Sequence, residues 1–113
     1  PRPVEVLIVE GILVLHYEEL RRRLDLALYV EADADERIVR RIRRNLARIA
    51  IDDIADYYLE SVRHQHVRYN APTRAHAHLV IPGGATDTPT REALLQEICS
   101  VLRGRLAPVP REP

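Results

Sequence analysis

The chain has 113 residues, 46% of them hydrophobic, which suits one domain with a modest core, burying roughly two thirds of the surface exposed by the unfolded chain. Seventeen arginines, no lysine and seventeen acids cancel to a formal net charge of zero, excluding a whole-molecule field that draws the chain to nucleic acid or membrane; any attraction must be local. A lone cysteine, Cys99, excludes an intramolecular disulfide. No charged-then-apolar leader or long apolar run marks export or a membrane span, so a reducing cytoplasm is the expected compartment. Methionine is absent and the chain starts PRPVEV, which leaves open an initiator methionine removed ahead of Pro1 or a segment of a longer polypeptide.

In chain order, VEVLIVEG is apolar and β-branched from Val6 to Val9 and closes on Glu10 and Gly11, the form of a buried strand ending at a polar turn. HYEELRRRLD predicts a short helix, and LALYVEAD a second strand of the same kind. Asp33 then stands as N-cap of an arginine-rich helix over about 34–49, with Glu36 completing a capping box. DDIADYYLESVRHQHVRYN spaces Ile54, Tyr58 and Val62, with Leu59 beside them, along one face of a helix that stops near Asn70, before Pro72. HLVIPGG reads as a third strand broken by Pro82, Gly83 and Gly84. TPTREALLQEICSVLRGRL reads as a final helix, with Pro89 in its first turn and Gly104 near its end. Residues 1–106 are expected to form the domain, followed by a loose tail over 107–113. Strands alternating with helices predict an α/β layer with three mainly parallel strands and flanking helices.

The arginine helix carries the sharpest signal. At 100° per residue, Ile38, Ile42, Leu46 and Ile49 form a stripe, and Arg37, Arg40, Arg41, Arg44 and Arg48 crowd the opposite arc. Asp35 and Glu36 partly neutralise such an arc, and a solvated face is the plain reading. Against it, like charges on neighbouring turns cost a few tenths of a kcal/mol per pair, and guanidinium suits bidentate contact with phosphate, so an anionic ligand would relieve the repulsion. Arg37, Arg40 and Arg43 read as surface ion-pair partners. His76 and His78 share one side of a strand without a third metal ligand, while His64 and His66 point about 200° apart on a helix and do not chelate together. Tyr57, Tyr58 and Tyr69 read as packing residues with a polar tip, and Cys99 as core.

The segments VLIVEGILVL, LALYVEADADERIVRRIRRN and YYLESVRHQHVRYNAPTRAHAHLVIPGG, in that order, resemble the second half of a uridine kinase, over about Val4 to Leu102. That family is a P-loop kinase family transferring the γ-phosphate of ATP to the 5′-hydroxyl of uridine or cytidine. The resemblance implies part of a three-layer P-loop kinase-like fold. It implies that Glu10 lies at the strand end where the family places a carboxylate that helps hold Mg²⁺. It also implies that Arg41 and Arg44 lie on the lid helix whose guanidinium groups reach the ATP phosphates, with Arg48 on the same helix and Gly83 and Gly84 resembling the loop near the adenine. Catalysis of this kind works through pre-placed cations around a loose, anionic transition state. A homotetramer regulated by pyrimidine nucleotides is a further implication.

The departures are equally specific. The phosphate-cradling Gly-x-x-x-x-Gly-Lys-Ser/Thr is absent, and no lysine exists to supply it. The family's catalytic aspartate and most of its nucleoside pocket belong to the half that does not match. NLARIAIDD stands where the family has an acid, Arg, Gly, Arg turn, with Asn45 for the aspartate and a shortened lid. His76, Ala77 and His78 replace tyrosine, alanine and aspartate, and Tyr57 falls where a glutamine is expected. The resemblance also implies that the strand feeding the P-loop lies between the two strands predicted first, so the central strand is missing. The chain is thus expected to be a kinase fragment or a degenerate relative, catalytic toward uridine or cytidine only when joined to a P-loop half. The alternatives are a non-catalytic interaction or regulatory module, a phosphoribulokinase-like sugar kinase, and a nucleic-acid-binding domain. Neutral net charge and the lack of an aromatic platform count against the last.

Overall fold

A computed structural model of the chain describes residues 6–84 and 87–105. Its sheet has two parallel strands, β1 (Leu28–Glu31) and β2 (Leu79–Pro82), in the register Leu28 to Leu79, Tyr29 to Val80, Val30 to Ile81 and Glu31 to Pro82. β1 follows a single turn of helix, α1 (Glu18–Arg21), and leads through Ala32 and Asp33 into α2 (Ala34–Asn45). Helix α3 (Ile51–Tyr57) continues as one rod, through wide π turns at Tyr58–Val62 and His66–Asn70 with an α turn at Arg63–Gln65 between them, and closes in a 3-10 segment, Ala71–His76. After β2 the chain forms α4 (Thr88–Arg105).

The strand pair is fastened at both ends. Ala27 N–H donates to His78 Nδ1 and His78 N–H donates to the Ala27 carbonyl, both at 2.8 Å, so His78 serves as a structural acceptor. At the other end Gly83 N–H reaches the Glu31 carbonyl at 2.6 Å. A side chain on Gly83 would sit 2.6 Å from Val30 Cγ1 and 3.0 Å from the Glu31 carbonyl oxygen, so glycine permits the close approach.

Helix α2 places Asp35 and Glu36 in its first turn and Arg43 and Arg44 in its last, the arrangement favoured by the helix dipole. Asp33 occupies the N-cap position, but the expected capping box does not form. Asp35 Oδ1 takes the Glu36 N–H, and the Glu36 carboxylate is drawn to Arg40. The helix ends at Asn45, earlier than the expected 49, and Leu46 and Ile49 at the end of the predicted stripe are exposed. At the start of α4, Asp87 Oδ1 accepts the Thr90 N–H at 2.7 Å, a cap that also holds the Asp87 carboxyl below its ordinary range.

Asn70 joins three parts of the chain. Its Oδ1 accepts from the Tyr29 hydroxyl on β1 at 3.0 Å, its Nδ2 donates to the Ile12 carbonyl at 2.8 Å, and its own carbonyl accepts from buried Thr73 at 2.6 Å. The α and π turns of the rod end at Asn70, as expected ahead of Pro72, and the 3-10 segment that follows places Thr73 for that bond.

Three sequence expectations are corrected. Val6–Val9 forms no strand: all four side chains are exposed, and the sheet among the described residues has two strands, not three. A strand exists only where a neighbour pairs its backbone, and no strand among the described residues pairs this one. Cys99 is exposed, because α4 presents it on an outer arc away from half-buried Ile98 and Leu102. His76 ends the 3-10 segment and His78 precedes β2, so the two do not lie along a strand. The tail 107–113 and Pro1 to Glu5 lie outside the described residues.

Replacing Asn70 with alanine should strip the Tyr29 hydroxyl and the Ile12 carbonyl of their partners together. Roughly 1–3 kcal/mol of stability should go, read as a lower urea midpoint at unchanged slope.

Candidate functional site

A groove of about 1950 Å³ runs between residues 6–15, β1, the start of α2 and the inner face of the rod. Val62, Gln65, His66 and Tyr69 line it from the rod at the spacing of one helical face. Glu10, at the end of the apolar run, lines it from one wall, and Arg37 and Arg41 line it from α2. Glu31 and Asp33 also border it, and Glu31 is engaged by Arg74 at 2.9 Å.

The arginines of α2 divide into distinct environments. Arg37 and Arg41 are half-buried, one turn apart on the row that continues to Asn45. Arg37 Nη1 stands 2.9 Å from His66 Nδ1 and also touches Nε2, so Arg37 is not the surface ion-pair partner that helical angle suggested. The Arg41 guanidinium lies over the Tyr57 ring, 5.4 Å from its centroid, within cation–π range. Neither has a carboxylate partner among the described residues. Arg40 behaves as the sequence suggests: it pairs with Glu36 and donates to the Gly83 carbonyl. Arg43, Arg44 and Arg48 are exposed and make no ion pair among the described residues.

His66 sits beside a permanent cation. Partial burial, and after it the Arg37 charge, hold its imidazole below the ordinary value of 6.5, so the neutral ring accepts the guanidinium bond at neutral pH. Around it, Tyr69 meets His16 edge to face at 5.5 Å and carries the Arg68 guanidinium 5.1 Å from its ring centroid.

Of the residues singled out from the sequence, the fold brings Glu10 and Arg41 to one groove. Arg44, Arg48, Gly83 and Gly84 are not part of its lining; Gly83 and Gly84 pack against β1 and against Glu36. Sequence reasoning missed Arg37 and His66. A signal was available: Arg37, Arg41 and Asn45 form an i, i+4 row flanking the apolar stripe, and His66 lies four residues after Val62 on the inner face. Tyr57, by contrast, is largely exposed and serves as a platform for Arg41.

The fold and the groove define a small α/β protein whose arginine helix and several carboxylates, Glu10 among them, open on one hollow. The chain belongs to the phosphoribulokinase / uridine kinase family, whose model matches residues 1–89. It is 40% identical over 102 residues to the uridine kinase of Lactococcus lactis subsp. cremoris (strain MG1363), covering 88% of this chain and 50% of that protein. It is 42% identical over 84 residues to the uridine kinase of Clostridium tetani, covering 73% and 40%, and 40% identical over 97 residues to that of Halobacterium salinarum, covering 84% and 42%. The chain thus spans about half the length of the curated relatives it matches.

The residues present fit the groups that this family implies. Among the described residues no three His, Cys, Asp or Glu side chains are grouped to enclose a metal. Mg²⁺ needs no such cage, because it takes one or two carboxylates and completes its shell with phosphate oxygens and water. Glu10, one of four exposed carboxylates on the groove with Asp25, Glu31 and Asp33, could supply a ligand of that kind beside the half-buried guanidinium groups of Arg37 and Arg41.

The sign of the His66 effect is fixed by its direction. A depressed value means that the folded chain favours the neutral ring, so its contribution to stability is full above about 6.5 and drains as pH falls through the lowered value. An NMR titration should find His66 protonating below 6.5, and Arg37→Ala should move that midpoint upward.

Proposed function

We propose that this chain supplies the Mg²⁺-holding and ATP-phosphate-contacting part of a nucleoside kinase that phosphorylates uridine or cytidine to the 5′-monophosphate, and that it is catalytic only when joined to a P-loop half. The observation that carries this reading is the shared groove of Glu10 and Arg41, with Arg37 beside them. Arg41 and Arg44 act on the ATP phosphates as lid arginines, Arg48 extends the same cationic row, and Gly83 and Gly84 border the adenine side. Glu10 would hold Mg²⁺, which when bound supplies positive charge to the phosphate oxygens.

Each of these residues has a physical part to play. Arg41 is already held by the Tyr57 face, so its side chain gives up less freedom on meeting a phosphate than an unrestrained arginine would. Its charge is uncompensated by any carboxylate among the described residues, so an arriving anion breaks no ion pair there. Exposed Arg44 reaches the phosphates only if α2 swings over the ligand, as a lid does. A three-layer kinase fold, a cytoplasmic location and a place in pyrimidine salvage follow from the same reading. One observation favours a second reading, an interaction module derived from the kinase fold: the run Val6–Val9 is exposed and unpaired.

The test joins the chain to the half of a uridine kinase that it does not span and assays ATP-dependent phosphorylation of uridine. In that joined enzyme, Arg41→Ala and Arg44→Ala should each lower the phosphoryl-transfer rate on the order of 10²-fold with little change in uridine KM. Equal losses in both parameters would remove the phosphate role, and no phosphorylation at all would favour the interaction module.

A further inference from the structure

Arg37 is held against a group that does not cancel its charge, although one that would is close at hand. One turn before it, at the N-cap of α2, stands Asp33, whose exposed carboxylate belongs to an adjoining part of the groove lining. Opposite charges four residues apart attract on a helix, yet no ion pair joins these two. The Arg37 side chain crosses instead to the rod, where its Nη1 meets the imidazole of His66.

This contact leaves the guanidinium with two things that an ion pair would have taken. Its charge stays whole, because the ring beside it is neutral at pH 7. Its bidentate edge stays open as well. Nη1 is engaged, while Nε and Nη2, the side-on fork that matches two oxygens of one phosphate group, make no hydrogen bond among the described residues. Arg37 is half-buried on the groove, where a charge acts on a ligand more strongly than it does in open water. Glu31, another carboxylate of the lining, is already taken by Arg74.

We propose that Arg37 contacts the phosphate chain of the ligand through its Nε and Nη2 edge, and that His66 is the positioning residue that holds it there. The inference rests on the reading of the groove as a phosphate site and adds to it a guanidinium one turn before Arg41 on the same row. A surface ion-pair role requires an acidic partner, and Arg37 has none among the described residues.

The experiment titrates the full chain with inorganic tripolyphosphate by calorimetry at low ionic strength. Arg37→Gln keeps an N–H donor for His66 and removes the charge, so binding should weaken at least about tenfold. Arg43→Gln makes the same charge change at an exposed position of the same helix and should alter affinity less than about twofold. His66→Leu should weaken binding at least about threefold, and His66→Gln, whose side-chain oxygen still accepts a hydrogen bond, should restore it. With Arg37→Gln already in place, His66→Leu should cost nothing further, because His66 acts through Arg37. Equal losses from Arg37→Gln and Arg43→Gln overturn the proposal, as does a native chain that does not bind tripolyphosphate. Additive effects at Arg37 and His66, or a His66→Gln chain as weak as His66→Leu, overturn the positioning role. Arg37-dependent binding without uridine phosphorylation in the joined enzyme would uphold the contact while removing the kinase reading. Binding indifferent to Arg37, with phosphorylation that still depends on Arg41, would do the reverse.

Discussion

The parallel register of β1 against β2 is the constraint on which the groove depends. It is set at one end by the exchange between Ala27 and His78 and at the other by Gly83 meeting Glu31. Helix α2 starts only two residues after β1, at Ala34, so its direction follows from where the strand ends. The Gly83 carbonyl also takes the Arg40 guanidinium, joining α2 to the end of β2. With Arg40 held there, Arg37 and Arg41 turn inward to His66 and Tyr57, and Arg44 turns to solvent. The sorting of chemically identical side chains into groove and surface is therefore a consequence of strand geometry.

A second constraint is how little this chain covers of itself. Leu15, Ala27, Ile54 and Thr73 are the buried residues among those described. At about 25 cal/mol per Å² of apolar surface, a core this small offsets only part of the entropy lost on ordering the backbone. Polar bonds bear an unusual share of the specificity here, and Asn70 is the clearest instance, since one amide links β1, the rod and the segment before α1. The apolar residues that a larger core would absorb are gathered on the groove walls.

How much of this was legible in the sequence follows from the range of the interactions. Helices α2 and α4 and strands β1 and β2 were legible because apolar spacing and β-branched runs are local signals. Ile54, Tyr58 and Val62 do face inward as their spacing predicts, whereas Leu59, expected beside them, is exposed. The run Val6–Val9 carries the same local signal and yet forms no strand, because pairing depends on a neighbour that periodicity cannot supply. The capping box failed by a narrow margin: Asp35 sits one residue from Glu36 and reaches its N–H first, while Arg40 competes for the Glu36 carboxylate. Cys99 was misread because residue type says nothing about which arc of a helix finds a partner. The role of His66 depends on a contact with a residue 29 positions away: its place four residues after Val62 marks the inner face of the rod but does not name that partner.

The two groove arginines differ in a way that bears on what the site can take. Arg37 is spoken for by a neutral imidazole, which accepts a hydrogen bond from it without cancelling its charge. Arg41 rests on an aromatic face, which also leaves the charge intact. A carboxylate partner would have neutralised either one and made an entering anion compete for it, as Glu36 does for Arg40. Two half-buried cations held in place by uncharged groups therefore keep charge that no carboxylate partner among the described residues cancels, in a groove whose lining also includes the exposed carboxylates Glu10, Asp25, Glu31 and Asp33. The same logic explains why Asn45 is compatible with this row: its side chain donates to the Arg41 carbonyl at 3.1 Å, where an aspartate would place a competing charge one turn from the guanidinium.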